Sequence, residues 1–454
     1  MKTTGCTGTQ SGSALVIVLV VTVVMLIGAM AVLQLGAQDA VLAMRDVRVS
    51  EAFYAAEAGA ERGEAWLVAQ SSYPTAAVTP FSGTAEPFAD GLYHVTVTPD
   101  YSTSRTFYTI TSYATVQGRS RALEVDVTPT AFTDYLYYTN SDQGFGGPGY
   151  FRTGDTVDGP IRVNTEIAIW GDPVFLDKVQ SAESTILYHN DWSPVNLTAL
   201  SNPPHDEPDF QAGCELGVLP MPWLDQTDLH TIRDMAGISL GGNHDIIFGR
   251  DAGSGPMLGY VSYSQEGQNS WTDVLISSFN GIVYGSGQFT VSGIVDGQVT
   301  LASNDIMSIV DDITYADSDA NGPRPGCDDI LGLIAGSKLR VVDNVPNGTD
   351  CVIHAHMIAV ANQASLVEYY DQGVPRGTLT IYGGMAQDKW GPVGTGYYDA
   401  EGNFVVLTGY ERDIHYDWRL RTILPPGYEY IIFGGTELER LAWREIAAVD
   451  LTQG

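Results

Sequence analysis

The sequence predicts a long N-terminal transmembrane α-helix carrying a mainly β body, and three observations predict it. Residues 14–33 are twenty positions without a charge. At about 1.5 Å per helical residue they reach roughly 30 Å, the thickness of a hydrocarbon core. From Gln34 to about Gln70 no proline or turn cluster interrupts an alanine-rich run, so the apolar span continues into one long helix over residues 13–70. A total of 50 glycines and 22 prolines, with 17% charged residues, describes a chain rich in turns and short strands. At 454 residues it is also too long for one ordinary core, which divides the soluble part into at least two units.

Residues 1–12 read as a leader with one basic residue, Lys2, ahead of Ser13 and the apolar run. A secretory signal peptide shares that start, and Ala29-Met30-Ala31 imitates its cleavage site. The run is longer than the usual length of about 7–15 residues, however, and a regular helix follows it, which favours an anchor. Gly12, the uninterrupted span and the later Ala52-Phe53-Tyr54-Ala55-Ala56-Glu57-Ala58-Gly59 resemble the N-terminus of type IV pilin-like proteins, most closely PilX-like minor pilins and pseudopilins. The resemblance implies cleavage between Gly12 and Ser13 by a prepilin peptidase and residence in the bacterial inner membrane. It also implies packing against other pilin-like subunits through a helix that includes Ile17, Ala52, Ala55, Ala56, Glu57 and Gly59. Major pilins carry a glutamate at the fifth position after the cleavage glycine; Ile17 stands there, which implies a minor or tip component. The plain alternative is a single-pass anchor that forms no polymer.

After Ser71-Ser72-Tyr73-Pro74 the apolar period changes to two. Tyr93, Val95 and Val97, then Tyr108 and Ile110, then Leu123, Val125 and Val127, with a turn at Gln117-Gly118, predict a small antiparallel sheet over residues 71–130. Its apolar face would cover the alanine stripe of the helix, as the small sheet of pilin-like folds does. Over residues 131–430 apolar pairs recur about every eight to twelve residues among Gly, Asp and Asn, which predicts a β-solenoid, with a β-sandwich as the alternative. Residues 190–236, proline-rich before a helical run at 225–235, read as an insertion over one face or end. Ile353-His-Ala-His-Met-Ile-Ala359 and Tyr416-Asp-Trp-Arg-Leu420, among other stretches across most of residues 134–430, resemble a domain of unknown function found after pilin-like N-termini in bacterial envelope proteins. That likeness implies architecture and no reaction. Thr436 and Glu439 form a capping-box pattern, and Leu438, Leu441, Ala442, Ile446 and Val449 share a helical face, so residues 431–454 are predicted to be a capping helix.

Asp and Glu outnumber Lys and Arg 54 to 22, and the net charge of −32 repels phosphate backbones, which argues against a nucleic-acid partner. The four cysteines include no Cys-x-x-Cys, so a zinc ribbon is not supported. Cys327 and Cys351 flank a short segment and would be able to bridge outside the cytoplasm; buried free thiols are the ordinary alternative. Asp317-x-Asp319-x-Asn321-Gly322, with Asp328 beyond, echoes a calcium loop, and calcium is the one cofactor the sequence raises. Two prolines, Pro323 and Pro325, and an Asp where the longer Glu usually closes such a loop favour a solvated acidic loop instead. His354 and His356, two apart on a strand, point to one side and, with no third ligand in view, read as structural. Arg419 beside Asp417 reads as an ion pair. No nucleophile elbow, phosphate-binding glycine loop or His-Glu-x-x-His occurs, so no catalytic residue is assigned. The expected function is a non-catalytic component of a type IV pilus or related secretion system. The competing classes are a glycan-binding adhesin, with Tyr369, Tyr370, Tyr397 and Tyr398 as stacking surfaces, and a carbohydrate-active enzyme.

Overall fold

The computed structural model describes residues 11–70, 73–81, 85–141, 148–189, 193–251, 257–363, 373–398, 404–431 and 433–448. Helix α1 (Ser11–Val68) runs 58 residues, about 87 Å. Its first half is rich in valine and isoleucine, branched residues that are mediocre helix formers in water. In lipid every backbone group must be satisfied internally, and a helix does that. Thr22 donates its hydroxyl to the Val18 carbonyl one turn back at 2.7 Å. At the other end the Gln70 side chain donates to the Trp66 carbonyl at 2.7 Å and its amide to the Leu67 carbonyl at 3.2 Å, satisfying groups the last turn leaves open.

The second half of α1 lies on a five-stranded antiparallel sheet. Its strands are β1 (Glu86–Phe88), β2 (Gly91–Asp100), β3 (Phe107–Val116), β4 (Arg119–Ala131) and, beside β4, the C-terminal strand Phe433–Ile446. Period-two burial sets the inner face: Tyr93, Val95, Val97, Ile110, Leu123 and Val125 close on Ala52, Ala55, Ala56, Ala60 and Leu67. Gln117 and Gly118 both take positive φ, 46° and 75°, the two-residue turn that matches strand twist.

The C-terminal strand corrects the expected capping helix at 431–454. Leu438, Leu441, Ala442 and Ile446 do repeat at helical spacing. The open edge of β4, however, offers a ladder from Ala122 to Ala131, and a bulge between Arg440 and Ala442 turns both Arg440 and Trp443 toward α1. Pairing and packing across the sheet override the local pattern.

The body is everything between β4 and that strand, residues 132–432. One parallel ladder passes in order through Ile238–Leu240, Ile282–Gly285, Gln298–Ser303, Ile330–Ala335, and the later halves of Cys351–Gln363 and Pro375–Lys389. It continues through Tyr137–Ser141, Ile161–Val163, Val179–Ser181 and Cys214–Leu216. Spatial order is not sequence order. The chain enters mid-ladder at residue 137, steps outward to 216, crosses to the opposite end at 238, and steps back until residues 385–389 pair with 137–141.

A second parallel ladder runs through His244–Asp251, Phe289–Val295, Met307–Tyr315 and Leu339–Val341. It is extended by the earlier halves of Cys351–Gln363 and Pro375–Lys389 to Phe404–Tyr416. The two long strands thus serve both ladders. At Gly383 a Cβ would run into the Ala355 carbonyl, so glycine lets the backbones approach there.

Val283, Leu301, Leu333, Met357 and Met385 of the first ladder meet Phe289, Val291, Met307, Ile309 and Leu339 of the second in the core. Their neighbours Tyr284, Ala302, Ile334, Ile358 and Ala386 face the other way, covered by α2 (Gln226–Met235) through Leu229 and Ile232, and by Leu424, Tyr428 and Ile431. Burial on both faces explains the unbroken apolar run of Ile330–Ala335. Asp225 caps α2, its carboxylate accepting from the Thr227 amide at 2.6 Å. The expected insertion at 190–236 is narrower than read: the segment ending in α2 covers a face, whereas Asp209–Phe210 and Cys214–Leu216 join parallel ladders.

Candidate functional site

From residue 14 to about 47 the apolar side chains of α1 are exposed on every side, Leu15 to 74%, Ile17 to 63% and Met44 to 56%. A helix apolar all round belongs in lipid or among other apolar helices. Gly12 and Ser13 lie within α1. The helix then changes character without a break. Ala52, Ala55 and Ala56 are fully buried on the chain's own sheet, and a Cβ at Gly59 would collide with the Ser112 hydroxyl and the Tyr93 ring. Small side chains are what allow helix and sheet to close.

Beside that stripe runs another, Phe53, Glu57, Glu61 and Glu64, at helical spacing along the C-terminal strand. Trp443 meets Phe53 edge-on at 5.9 Å. Arg440 pairs with Glu61 and, through Nε at 2.8 Å, with Glu64. Glu57, half-buried, lies in the same stripe. The expected assembly positions therefore separate: Ile17 is on the free surface, while Ala52, Ala55, Ala56 and Gly59 dock α1 on its own sheet. Sequence reasoning missed Arg440 and Trp443. Their signal was a basic residue and an aromatic three apart, matching an acidic and aromatic stripe on the helix.

Two buried arginines join sheet to body. Arg105, 1% exposed, pairs with Asp134 and donates to the Thr128 hydroxyl at 3.0 Å and the Pro129 carbonyl at 2.9 Å. Arg162, equally buried, reaches Glu437 at 2.7 Å and the Tyr135 hydroxyl at 3.1 Å, all three lining a cavity of about 330 Å³. In the body, Arg419 and Asp417 form the expected ion pair, Nη2 to Oδ2 at 2.6 Å and Nε to Oδ1 at 3.0 Å. The same guanidinium donates to the Cys327 and Asp329 carbonyls at 2.8 and 3.0 Å and lies 5.1 Å over the Tyr315 ring.

His354 and His356 are buried. The Tyr315 amide donates to His354 Nδ1 at 3.1 Å, and Tyr428 meets His356 edge-on at 5.4 Å. Burial pushes both imidazoles down to about 4, against a smaller opposing pull from Asp417 on His354 and from the Phe132 backbone on His356. Both are neutral near pH 7.

Of the two readings the sequence left open for Cys327 and Cys351, the structure holds them as free thiols. They belong to different rungs: Cys327 sits in the turn before Ile330–Ala335, its thiol on Asp329 at 3.5 Å, and Cys351 pairs in register with Leu379. Burial pushes their thiols up to about 11 and about 12. In the acidic loop Asp319 accepts from the Asn321 amide at 2.9 Å and faces Arg324, while Asp317 and Asp328 are exposed. Among the described residues no three His, Cys, Asp or Glu side chains gather closely enough to hold a metal. Tyr397 is half exposed; Tyr369 and Tyr370, and the side chain of Tyr398, lie outside the described residues.

Residues 11–61 match the PilX N-terminal family. The chain carries a PilX-like N-terminus. That match takes in both the exposed apolar half of α1 and the docking stripe through Gly59, and with the single apolar helix it fits a single-pass membrane anchor bearing the body outside. Residues 93–184 match a domain of unknown function, DUF4900. The match begins in β2 and ends in the first rungs of the body. Among solved structures, the competence-associated pilin ComZ from Thermus thermophilus aligns over 88% of this chain and 98% of its own, at 11% identity and a TM-score of 0.32. No curated protein sequence matches the chain.

Proposed function

We propose that the PilX-like segment makes this chain a non-catalytic minor pilin or pseudopilin-like component of a type IV pilus or related secretion system. In this reading α1 waits in the bacterial inner membrane and a prepilin peptidase removes residues 1–12. The helix then packs with other pilin-like helices through its apolar flank, Ile17 included, and the acidic body is displayed outside the cytoplasm with its parallel ladders wound as a β-solenoid. No cofactor takes part in this reading.

The observation that carries it is α1 itself, apolar on every side as far as Leu33 and exposed as far as Val47, then docked on its own sheet through residues 52–59. One rigid rod thus offers a lateral packing surface at one end and holds a body clear of it at the other. Parallel pairing through both ladders supports the solenoid, because sandwiches of the immunoglobulin kind pair antiparallel. N-terminal mass spectrometry of the native protein tests the assembly reading. A mature chain beginning at Ser13 in cells with prepilin peptidase, and at Met1 in cells without it, is expected; an intact Met1 in peptidase-competent cells overturns it.

A further inference from the structure

Where the body closes on itself, the structure leaves a cavity of about 340 Å³. One wall comes from residues 151–157 in the first rungs and the other from residues 406–414 in the last, with Tyr137 between them. Asp155 and Arg412 bridge the walls at 2.6 Å, each less than a fifth exposed. Asp155 is held from one side only: its Oδ2 accepts from Arg412 and, at 2.9 Å, from the Arg152 amide, while Oδ1 accepts no hydrogen bond among the described residues. The Phe151 ring is fixed edge-on between Tyr137 at 5.8 Å and Phe175 at 5.2 Å. One side of the cavity is therefore apolar, through Phe151, Val157 and Ile414, and the other polar, through Asp155, Thr156 and Arg412.

We propose that this seam cavity binds one neutral sugar unit of a glycan. Its volume is at the small end of ligand sites, which run from about 300 to 1,000 Å³, and suits a single ring. Two arginines, Arg152 and Arg412, and two carboxylates, Asp155 and Glu411, line it, so the lining selects no net charge, and a chain of −32 repels polyanions. A pyranose presents a C–H face and a rim of hydroxyls, each both donor and acceptor. The Phe151 side takes the face; Asp155 Oδ1 accepts from one hydroxyl while Arg412 and Thr156 donate to others. A wholly apolar ligand would leave those polar groups desolvated without partners. The site goes beyond the assembly reading and stands apart from it, because an uncut N-terminus has no bearing on the seam.

Isothermal titration of the detergent-solubilised full chain with glucose, galactose, mannose and N-acetylglucosamine, and with galacturonate and dextran sulfate as anionic comparators, tests the proposal. At least one neutral sugar is expected to saturate with a Kd at or below about 10 mM, and Phe151→Ala or Asp155→Asn to weaken it about tenfold or more. Trp443→Ala, on the C-terminal strand, leaves binding unchanged. Because Asp155 also holds the seam, Thr156→Val on the exposed rim provides a second variant, with a loss of about threefold or more expected. No saturation by any of the neutral sugars up to about 100 mM overturns the proposal. So does tighter binding of galacturonate or dextran sulfate, or undiminished binding by both Phe151→Ala and Thr156→Val.

Discussion

Arg419 shows how much of the body one side chain ties together, since its guanidinium serves a carboxylate, two carbonyls and a ring at once. A lysine there keeps the charge but has no planar fork, and Arg419→Lys is expected to cost about 2–4 kcal/mol, read as a fall of several degrees in melting temperature. An unchanged melt would remove Arg419 from this role. The buried histidines set a pH dependence. With both rings near 4 in the folded chain against an ordinary 6.5, the unfolded chain takes up protons between those values that the folded chain refuses. Stability therefore falls as pH drops through about 6.5 and the loss levels off near pH 4, on the order of 3 kcal/mol per ring. His356→Gln should flatten the dependence of melting temperature on pH in that window; parallel curves for variant and parent would show that His356 does not contribute. The Arg419–Asp417 pair was legible because its partners are two residues apart. Arg162 and Glu437 were not, because nothing local announces a partner on another element.

At the scale of elements, α1 and its sheet were readable because both periods are strong: a span without charge, an alanine stripe, and strict alternation in β2 to β4. The C-terminal strand was not, because its leucines repeat at helical spacing and the deciding partner, the edge of β4, is remote in sequence. Gly59→Leu should push α1 off the sheet, since even a Cβ has no room against Tyr93 and Ser112. The expected result is faster proteolysis in β1 to β3 and a lower melting temperature; unchanged protease resistance would mean the helix is not seated as described. Deleting residues 433–454 removes the partner of Glu61 and Glu64 and opens the whole edge of β4. Exposed edges recruit other strands, so in detergent the truncated chain should run as aggregates in size-exclusion chromatography where the full chain does not.

Over the whole molecule, short strands every few residues were legible, but their spatial order was not. Parallel pairing between residues 137–141 and 385–389 is a property of how the path closes, and no local pattern encodes it. The seam depends on Asp155 and Arg412, so Arg412→Ala should raise amide exchange in residues 151–163 and 404–416 together. A rise on one side only would show the walls to be independent. Topologically the body is the loop of one hairpin, leaving the sheet at Ala131 and returning at Phe433, directly opposite. One covalent tether, at Ala131, and beside it one strand held by its ladder on β4 and by Arg440 and Trp443 on α1 connect it to the rod. A body on a single tether swivels and can be unravelled from a loose end; here a pull on the body is shared between neighbouring strands and twisting is resisted, so a tug or a torque applied to the body passes into the shaft of α1.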